Sequence, residues 1–247
     1  MDKKRIKTEI LIHDLKNPLA VIETGIESLM RNGDKHGPLA EGHLKVLRRA
    51  LRNSKIAMSI VNDVLEVGRS NEGVIKRENH KCSECLVIPF VEIFDLMEPE
   101  IAEKIAVADN LSDLKNVLAA SGIIFNVDDS LWEEDLFLDS RKVKQILRNL
   151  VSNAMKYREK QIMVDIAKDG QYFVFSIADD GCGIEEEYQE RIFEKYFQLE
   201  DERNECLRGH GLGLAGALIL VEDMGGEITL TSDKGRGASF EVRLPLE

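Results

Sequence analysis

Residues 44–68 carry a stripe whose spacing alternates between three and four: Leu44, Leu47, Leu51, Ser54, Met58, Val61, Leu65 and Gly68. This heptad seam commits the segment to an α-helix packed lengthwise against other helices, because a 3.5-residue repeat keeps one stripe facing its partner. A second stripe, Val46, Ala50, Ala57, Ile60, Val64 and Val67, flanks it. The combined face is wide and suits a four-helix bundle better than a two-stranded coil. An upstream helix carries Leu11, Leu15, Leu19, Ile22, Ile26 and Leu29 on one side. Between the two lies "RNGDKHGPLAEG", whose turn residues end the first helix near Asn32–Gly33. A hairpin of two such helices cannot bury both stripes alone. The sequence therefore predicts a symmetric dimer in which two hairpins form four helices.

The texture changes from about Ser83. Helical stretches (86–104, 111–120, 140–157 and 211–224) alternate with strand-like runs: "IIFNV", "EDLFLD", "QIMVDIAK", "YFVFSIADD", "GEITLTS" and "ASFEVRLP". The last two flank "DKGRG" and read as a hairpin. Mixed helices and strands closing on a hairpin predict an α+β two-layer sandwich. The expected division is a helical domain over 1–72, a linker over 73–82 and the sandwich over 83–247.

A net charge of −12 argues against nucleic acid as a partner, since the phosphate backbone would be repelled. Four cysteines suggest a reducing compartment. Cys82 and Cys85 form a C-x-x-C, but no second ligand pair follows to complete a zinc site. A redox pair and two unreactive thiols both remain open, the second being the plainer reading. No apolar run approaches the ~18–20 residues of a membrane span. "MDKKRIKTEI" lacks the apolar core of a signal peptide. A cytoplasmic protein is expected, or the cytoplasmic portion of a longer sensor.

Within the first helix stands "HDLKNPL". At ~100° per residue His13 falls ~180° from the centre of the apolar arc, facing solvent, with Asp14 beside it and Asn17 one turn on. A polar surface histidine is the ordinary alternative. Pro18 weighs against it, because the proline removes the hydrogen bond to the Asp14 carbonyl at a cost of ~3 kcal/mol.

In the second half, "DDGCGI" follows a strand-like run, and its two glycines let the backbone approach a flat ligand. A neighbouring carboxylate can accept a hydrogen bond from an exocyclic amine. "GHGLGLAGALILVEDMGG" runs glycines into an apolar helix whose first amides and dipole suit phosphate. "RNLVSNAMKY" places Asn149, Asn153, Lys156 and Tyr157 on one helix face. An amide pair satisfying itself is one explanation; amide oxygens for magnesium and an ammonium for phosphate are the other. No Walker-type phosphate loop is present.

In this order the motifs resemble the boxes of the sensor histidine kinases of two-component signalling. "HDLKNPL" resembles the phosphoacceptor box, "NLVSNAMKY" the asparagine box and "DDGCGI" the first glycine box. "RIFEKYFQLE" is similar to the phenylalanine box, "GHGLGLAGALILVEDMGGEI" to the second glycine box, and "GRGASFEVRLP" to the closing hairpin. The resemblance implies a dimerisation and phosphotransfer hairpin followed by a gyrase-like ATP-binding sandwich. It implies ATP and Mg2+ as cofactors, a homodimer, and a response regulator receiver domain as partner, with an upstream sensory domain absent from this chain. His13 matches the residue phosphorylated on a ring nitrogen, and Asp14 the acid that bonds the other nitrogen. Asn17 matches the residue that helps dephosphorylate the regulator. Asp179 matches the adenine contact, Asn153 the magnesium ligand with Asn149 near it, Lys156 a phosphate contact and Tyr157 a nucleotide contact. Gly181, Gly183, Gly209, Gly211 and Gly213, with Leu212, match positions framing the nucleotide and its lid. The lid would cover 198–210, where Arg203 or Arg208 could reach the phosphates.

Three departures from the family pattern stand out: His210 where Thr or Ser is usual, Arg158 in place of a small residue, and a long 98–122 segment with no assigned role. A related ATPase or serine kinase, and a degenerate scaffold, remain as other classes. The intact histidine box opposes the first and the intact nucleotide boxes the second. The second helix also carries Lys45, Arg48, Arg49, Arg52 and Lys55 opposite its seam, either a solvated face or a docking surface for an acidic receiver domain. Cys182 and Cys206 fall within the first glycine box and the lid, where oxidation would act on the nucleotide site.

Overall fold

The computed structural model describes residues 3–31, 37, 39–69, 75–195, 197 and 211–246, with the side chains of 3–14, 31, 56, 59–60 and 62–69 left aside. Two compact units result, Met1–Asn71 and Glu72–Glu247.

The first unit is a hairpin of α1 (Lys3–Arg31) and α2 (Glu41–Arg69), and α1 runs on through Pro18. The seam of α2 packs on α1: Ser54 is buried and its Oγ donates to the Leu19 carbonyl at 3.4 Å. The apolar stripe of α1 is only partly covered within one chain. Leu15, Ile22 and Leu29 are 45%, 49% and 37% exposed, and Val46 of the second stripe is 66% exposed.

The second unit opens with β1 (Glu78–Lys81), then α3 (Cys82–Met97), α4 (Pro99–Ala106) and α5 (Leu111–Ala120). Next come β2 (Ile123–Val127), the single turn α6 (Asp129–Trp132), β3 (Asp135–Leu138) and α7 (Ser140–Tyr157). The antiparallel pair β4 (Ile162–Asp169) and β5 (Tyr172–Asp179) follows. The unit closes with α8 (Gly213–Asp223) and the hairpin β6 (Glu227–Ser232) and β7 (Ala238–Pro245). The main sheet has the order β2-β4-β5-β7-β6, and only β2 and β4 run parallel. Strict alternation turns Phe125, Val164, Phe175 and Val242 inward beneath α3, α7 and α8, leaving Ile124, Met163 and Tyr172 on the open face. Among the described residues no helix is long and apolar enough to cross a membrane.

Two expectations need correction. The stretch 73–82 is not all linker: β1 pairs with β3, Glu78 opposite Leu138, and Cys82 already begins α3. The helix expected over 86–104 is two helices, broken at Glu98 with Pro99 at the first position of α4, where its missing N–H costs nothing. The unassigned 98–122 segment comprises α4 and α5. They bury Ala102, Ile105, Leu111, Leu114 and Leu118 and extend the apolar layer toward the β2 edge. Cys82 and Cys85 are fully buried, and burial pushes their thiols up to about 12 and about 11. Buried thiols pushed up in this way favour the reading of two unreactive core residues over a redox pair.

Candidate functional site

Helix α7 organises the candidate site. Asp139 caps it, Oδ1 accepting the Lys142 N–H at 3.3 Å, and Val143, Ile146, Leu150 and Val151 anchor it to the core. One apolar face held this way aims the polar positions Asn149, Asn153 and Tyr157 along another. Asn149 is nearly buried. Its Nδ2 donates to the Gly213 carbonyl at 3.0 Å, and its Oδ1 accepts from Gln145 Nε2 at 3.4 Å. A Cβ on Gly213 would lie 3.9 Å from both Asn149 Cγ and Asn153 Nδ2, so the two amides converge on the start of α8. That helix has no side-chain cap on its N-terminus, with Leu212 buried ahead of it and Gly211 in the left-handed region at φ 65. With no cap from Leu212, the first amides of this helix suit an anion.

At the C-terminal end of α7, Lys156 Nζ donates to the Tyr157 hydroxyl at 2.8 Å and sits 4.5 Å from that ring's centroid. The ammonium and the ring hold one another at the site's rim. Gly181 passes so close to Tyr157 that any Cβ would run into the tyrosine carbonyl oxygen. Gly181 N donates to Asp179 Oδ1 at 2.9 Å. Burial raises the Asp179 carboxyl above its ordinary range, opposed by the amides of Gly181 and Ala238 and reinforced by the charge of Asp180. A partly buried carboxylate with spare acceptor capacity suits a neutral N–H donor. Gly183 takes φ 68, turning the loop back under the β6–β7 hairpin.

The adjacent Asp180 has a different task, which its sequence neighbourhood concealed. Its carboxylate accepts from the amides of Glu159, Lys160 and Gln161 between 2.9 and 3.2 Å, tying the loop after α7 to the end of β5. Desolvation is the largest single influence and pushes it up, but the amides together outweigh it and the pKa is lowered. Arg158 turns away from the site: Nη1 donates to the Ser121 carbonyl at 2.7 Å, clamping the ends of α5 and α7 together. Its departure from the family pattern is therefore structural. The phenylalanine-box residues pack on the closing hairpin, Phe193 meeting Phe240 edge-on at 6.2 Å.

Asn149, Asn153, Gly211, Leu212 and Gly213 thus gather at the middle and third quarter of α7, and Tyr157, Lys156, Asp179, Gly181 and Gly183 near its C-terminal end. The side chains of His13 and Asp14 lie outside the described residues. So do Arg203, Cys206, Arg208, Gly209 and His210. Asn17 and Pro18 are exposed on α1. Among the described residues no group of three or more His, Cys, Asp or Glu could hold a metal. A magnesium ion here would rely on the hard amide oxygens of Asn153 and Asn149 together with a nucleotide's phosphates, a donor set this ion accepts.

Two family models match the chain. The His Kinase A (phospho-acceptor) domain covers residues 8–73, and the histidine kinase-, DNA gyrase B- and HSP90-like ATPase covers residues 138–247. The adaptive-response sensory kinase SasA of Nostoc sp. is 28% identical over 245 residues, covering 96% of this chain and 56% of that protein. The circadian input-output histidine kinase CikA of Synechococcus elongatus is 27% identical over 237 residues, covering 94% of this chain and 29% of that protein. Full-length ShkA in complex with AMPPNP has the same fold, with a TM-score of 0.63 and 24% identity over 97% of this chain and 45% of that one. The chain spans about half the length of SasA, the first of these relatives. With a phosphoacceptor hairpin followed by a gyrase-like ATPase sandwich, the chain belongs to the sensor histidine kinases and carries their catalytic core.

Proposed function

We propose that this chain is an ATP-dependent protein histidine kinase. His13 attacks the γ-phosphorus of ATP through a ring nitrogen; the P–N bond forms as the P–O bond to ADP breaks. The phosphoryl group then passes to a carboxylate oxygen of an aspartate on a response regulator receiver domain, restoring the free imidazole. Asp14 holds the other ring nitrogen and keeps the attacking one nucleophilic, and Asn17 orients water when the regulator is dephosphorylated.

The observation that carries this reading is the convergence along α7: Asn149 bonded to Gly213, and Gly181 pressed against Tyr157. Eight residues separate Asn149 from Tyr157, ~12 Å of helix, so one face would support a nucleotide from phosphates to base. Asp179 would accept the adenine amine, with Gly181 and Gly183 admitting the ring. The first amides of α8, with Gly211, Leu212 and Gly213, would face the phosphates, joined by Lys156 and by Arg208 and Gly209 of the lid. Asn153, with Asn149 near it, would hold Mg2+. The ion when bound neutralises phosphate charge, which this loose phosphoryl transfer needs more than covalent help.

A homodimer is supported by the exposed Leu15, Ile22 and Leu29, which a second hairpin would cover. The exposed Lys45, Arg48, Arg49 and Arg52 suit an acidic receiver domain. A cytoplasmic setting and an upstream sensory domain complete the proposal.

The test is autophosphorylation with labelled ATP and magnesium, wild type against His13→Ala. Acid-labile, base-stable label that vanishes in the variant is the expected result. ATP binding without label that depends on His13 would replace this reading with an ATPase or a scaffold.

A further inference from the structure

The loop that follows Asp179 does not hold its own shape. Ile184, the last residue of the first glycine box, has both backbone groups bonded to side chains from elsewhere. Its N–H donates to Ser232 Oγ at 2.9 Å, and its carbonyl accepts from Gln189 Nε2 at 3.1 Å. The Ser232 hydroxyl passes its own proton to the Gly237 carbonyl at 2.7 Å, and the second amide hydrogen of Gln189 goes to the Ser232 carbonyl at 2.9 Å. A hydroxyl has one proton to give, and a carboxamide two; each is spent here. Further bonds join the same two segments. Gly235 N donates to the Cys182 carbonyl at 2.6 Å, and Lys234 pairs with Glu185. The turn between β6 and β7 therefore grips residues 182–185 from below.

We propose that Ser232, seconded by Gln189, is a positioning residue for nucleotide binding: it sets Gly181–Gly183 at the height from which they and Asp179 meet the base. The proposal rests on the ATP-binding reading given above. Ser232 touches no substrate; it acts through Ile184. Removing its hydroxyl leaves the Ile184 N–H and the Gly237 carbonyl without their link, and the loop must then be ordered by the nucleotide itself. That cost falls on binding and not on the transfer step, where the reacting groups are elsewhere.

The experiment measures affinity of the full chain for AMP-PNP with magnesium by calorimetry, and steady-state autophosphorylation, for wild type, Ser232→Ala, Ser232→Thr and Gln189→Ala. Ser232→Ala should weaken binding about three- to tenfold, the worth of one or two net hydrogen bonds. KM for ATP should rise by the same factor with kcat kept. Ser232→Thr, which retains the hydroxyl, should return to within about twofold of wild type, and Gln189→Ala should fall between. Wild-type affinity in Ser232→Ala overturns the proposal. So does an equal loss in the Ala and Thr variants accompanied by a lowered melting temperature, which marks a merely structural residue. If the wild type binds no nucleotide, the ATP-binding reading fails and this proposal falls with it.

Discussion

Lys142 of α7 and Asp223 of α8 meet at 2.7 Å, with only 13% and 18% of their side chains exposed. The pair joins the helix that carries Asn149 and Asn153 to the helix whose N-terminus faces them. Breaking a fully buried pair costs about 3–5 kcal/mol. Partial solvent access here brings the expected loss for Lys142→Ala down to about 2 kcal/mol. Trp132, the only tryptophan, lies in the second unit and is 9% exposed, so its fluorescence in urea follows that unit. An unchanged midpoint would mean that α7 and α8 are held by packing alone.

Asp179 and Asp180 are neighbours with opposite titration behaviour. The raised Asp179 carboxyl favours its protonated form in the fold, so its contribution is present at low pH and lost as the pH rises through its folded pKa. Above that folded pKa the ionised group opposes folding. Asp179→Asn should therefore raise the melting temperature of the free protein while weakening AMP-PNP binding at least about tenfold, the value of a charged acceptor. A variant that loses both stability and affinity would show the carboxylate to be structural.

The lowered Asp180 carboxyl behaves in reverse. Its stabilisation is present above the ordinary carboxylate range and lost as the pH falls through its folded pKa. The amides it serves are exposed, so water competes for them, and Asp180→Ala should cost only about 1 kcal/mol at pH 7. The gap from wild type should begin to narrow at about pH 4 and close once the pH is below the lowered folded pKa. A gap that persists into acid would mean that the side chain packs and does not bond.

Much of this molecule was legible in its sequence. The six strand-like runs coincide with β2 to β7, because alternation of apolar and polar residues along a one-sided sheet is local information. β1 escaped notice: "ENHK" is short and polar, and only its pairing with β3 makes it a strand. The break at Glu98–Pro99 was signalled by the proline but outweighed by the apolar content around it. Candidate site residues stood out where their type was unusual for its place, as with two asparagines flanked by Leu and Ala in an amphipathic helix. Asp180 and Ser232 did not. Their partners lie 19 to 21 and 48 residues away, a proximity that exists only once the sheet has formed.

The cysteines separate by exposure. Cys82 and Cys85 have no solvent access and thiols pushed up to about 12 and about 11 by burial, whereas Cys182 is exposed. A thiol pushed up so far by burial is overwhelmingly protonated at pH 8 and a poor nucleophile. Iodoacetamide should therefore modify Cys182 in the native protein and reach Cys82 and Cys85 only in denaturant, as mass spectrometry of the peptides would report. A Cys82–Cys85 disulfide recovered from native protein would reinstate the redox reading. If alkylation of Cys182 also lowers AMP-PNP affinity, the first glycine box lies where the nucleotide reading puts it.

The basic face of α2 bears on the second half of the reaction. Arg48 and Arg52 are exposed one helical turn apart, on the side of α2 away from the seam that meets α1. Charges so placed attract an acidic partner over roughly a Debye length, ~8 Å at physiological salt, and they act on encounter rate more than on the bound complex. They lie in the helical unit, apart in sequence from every group assigned to nucleotide binding. Arg48→Ala/Arg52→Ala should therefore autophosphorylate at the wild-type rate but transfer phosphate to a receiver domain about tenfold more slowly at low ionic strength. The difference should shrink as salt is added, because screening removes from the wild type what the substitutions remove from the variant. Equal transfer rates at low salt would make this face a solvated surface. A defect that persisted undiminished at high salt would instead place the arginines in direct short-range contact with the partner.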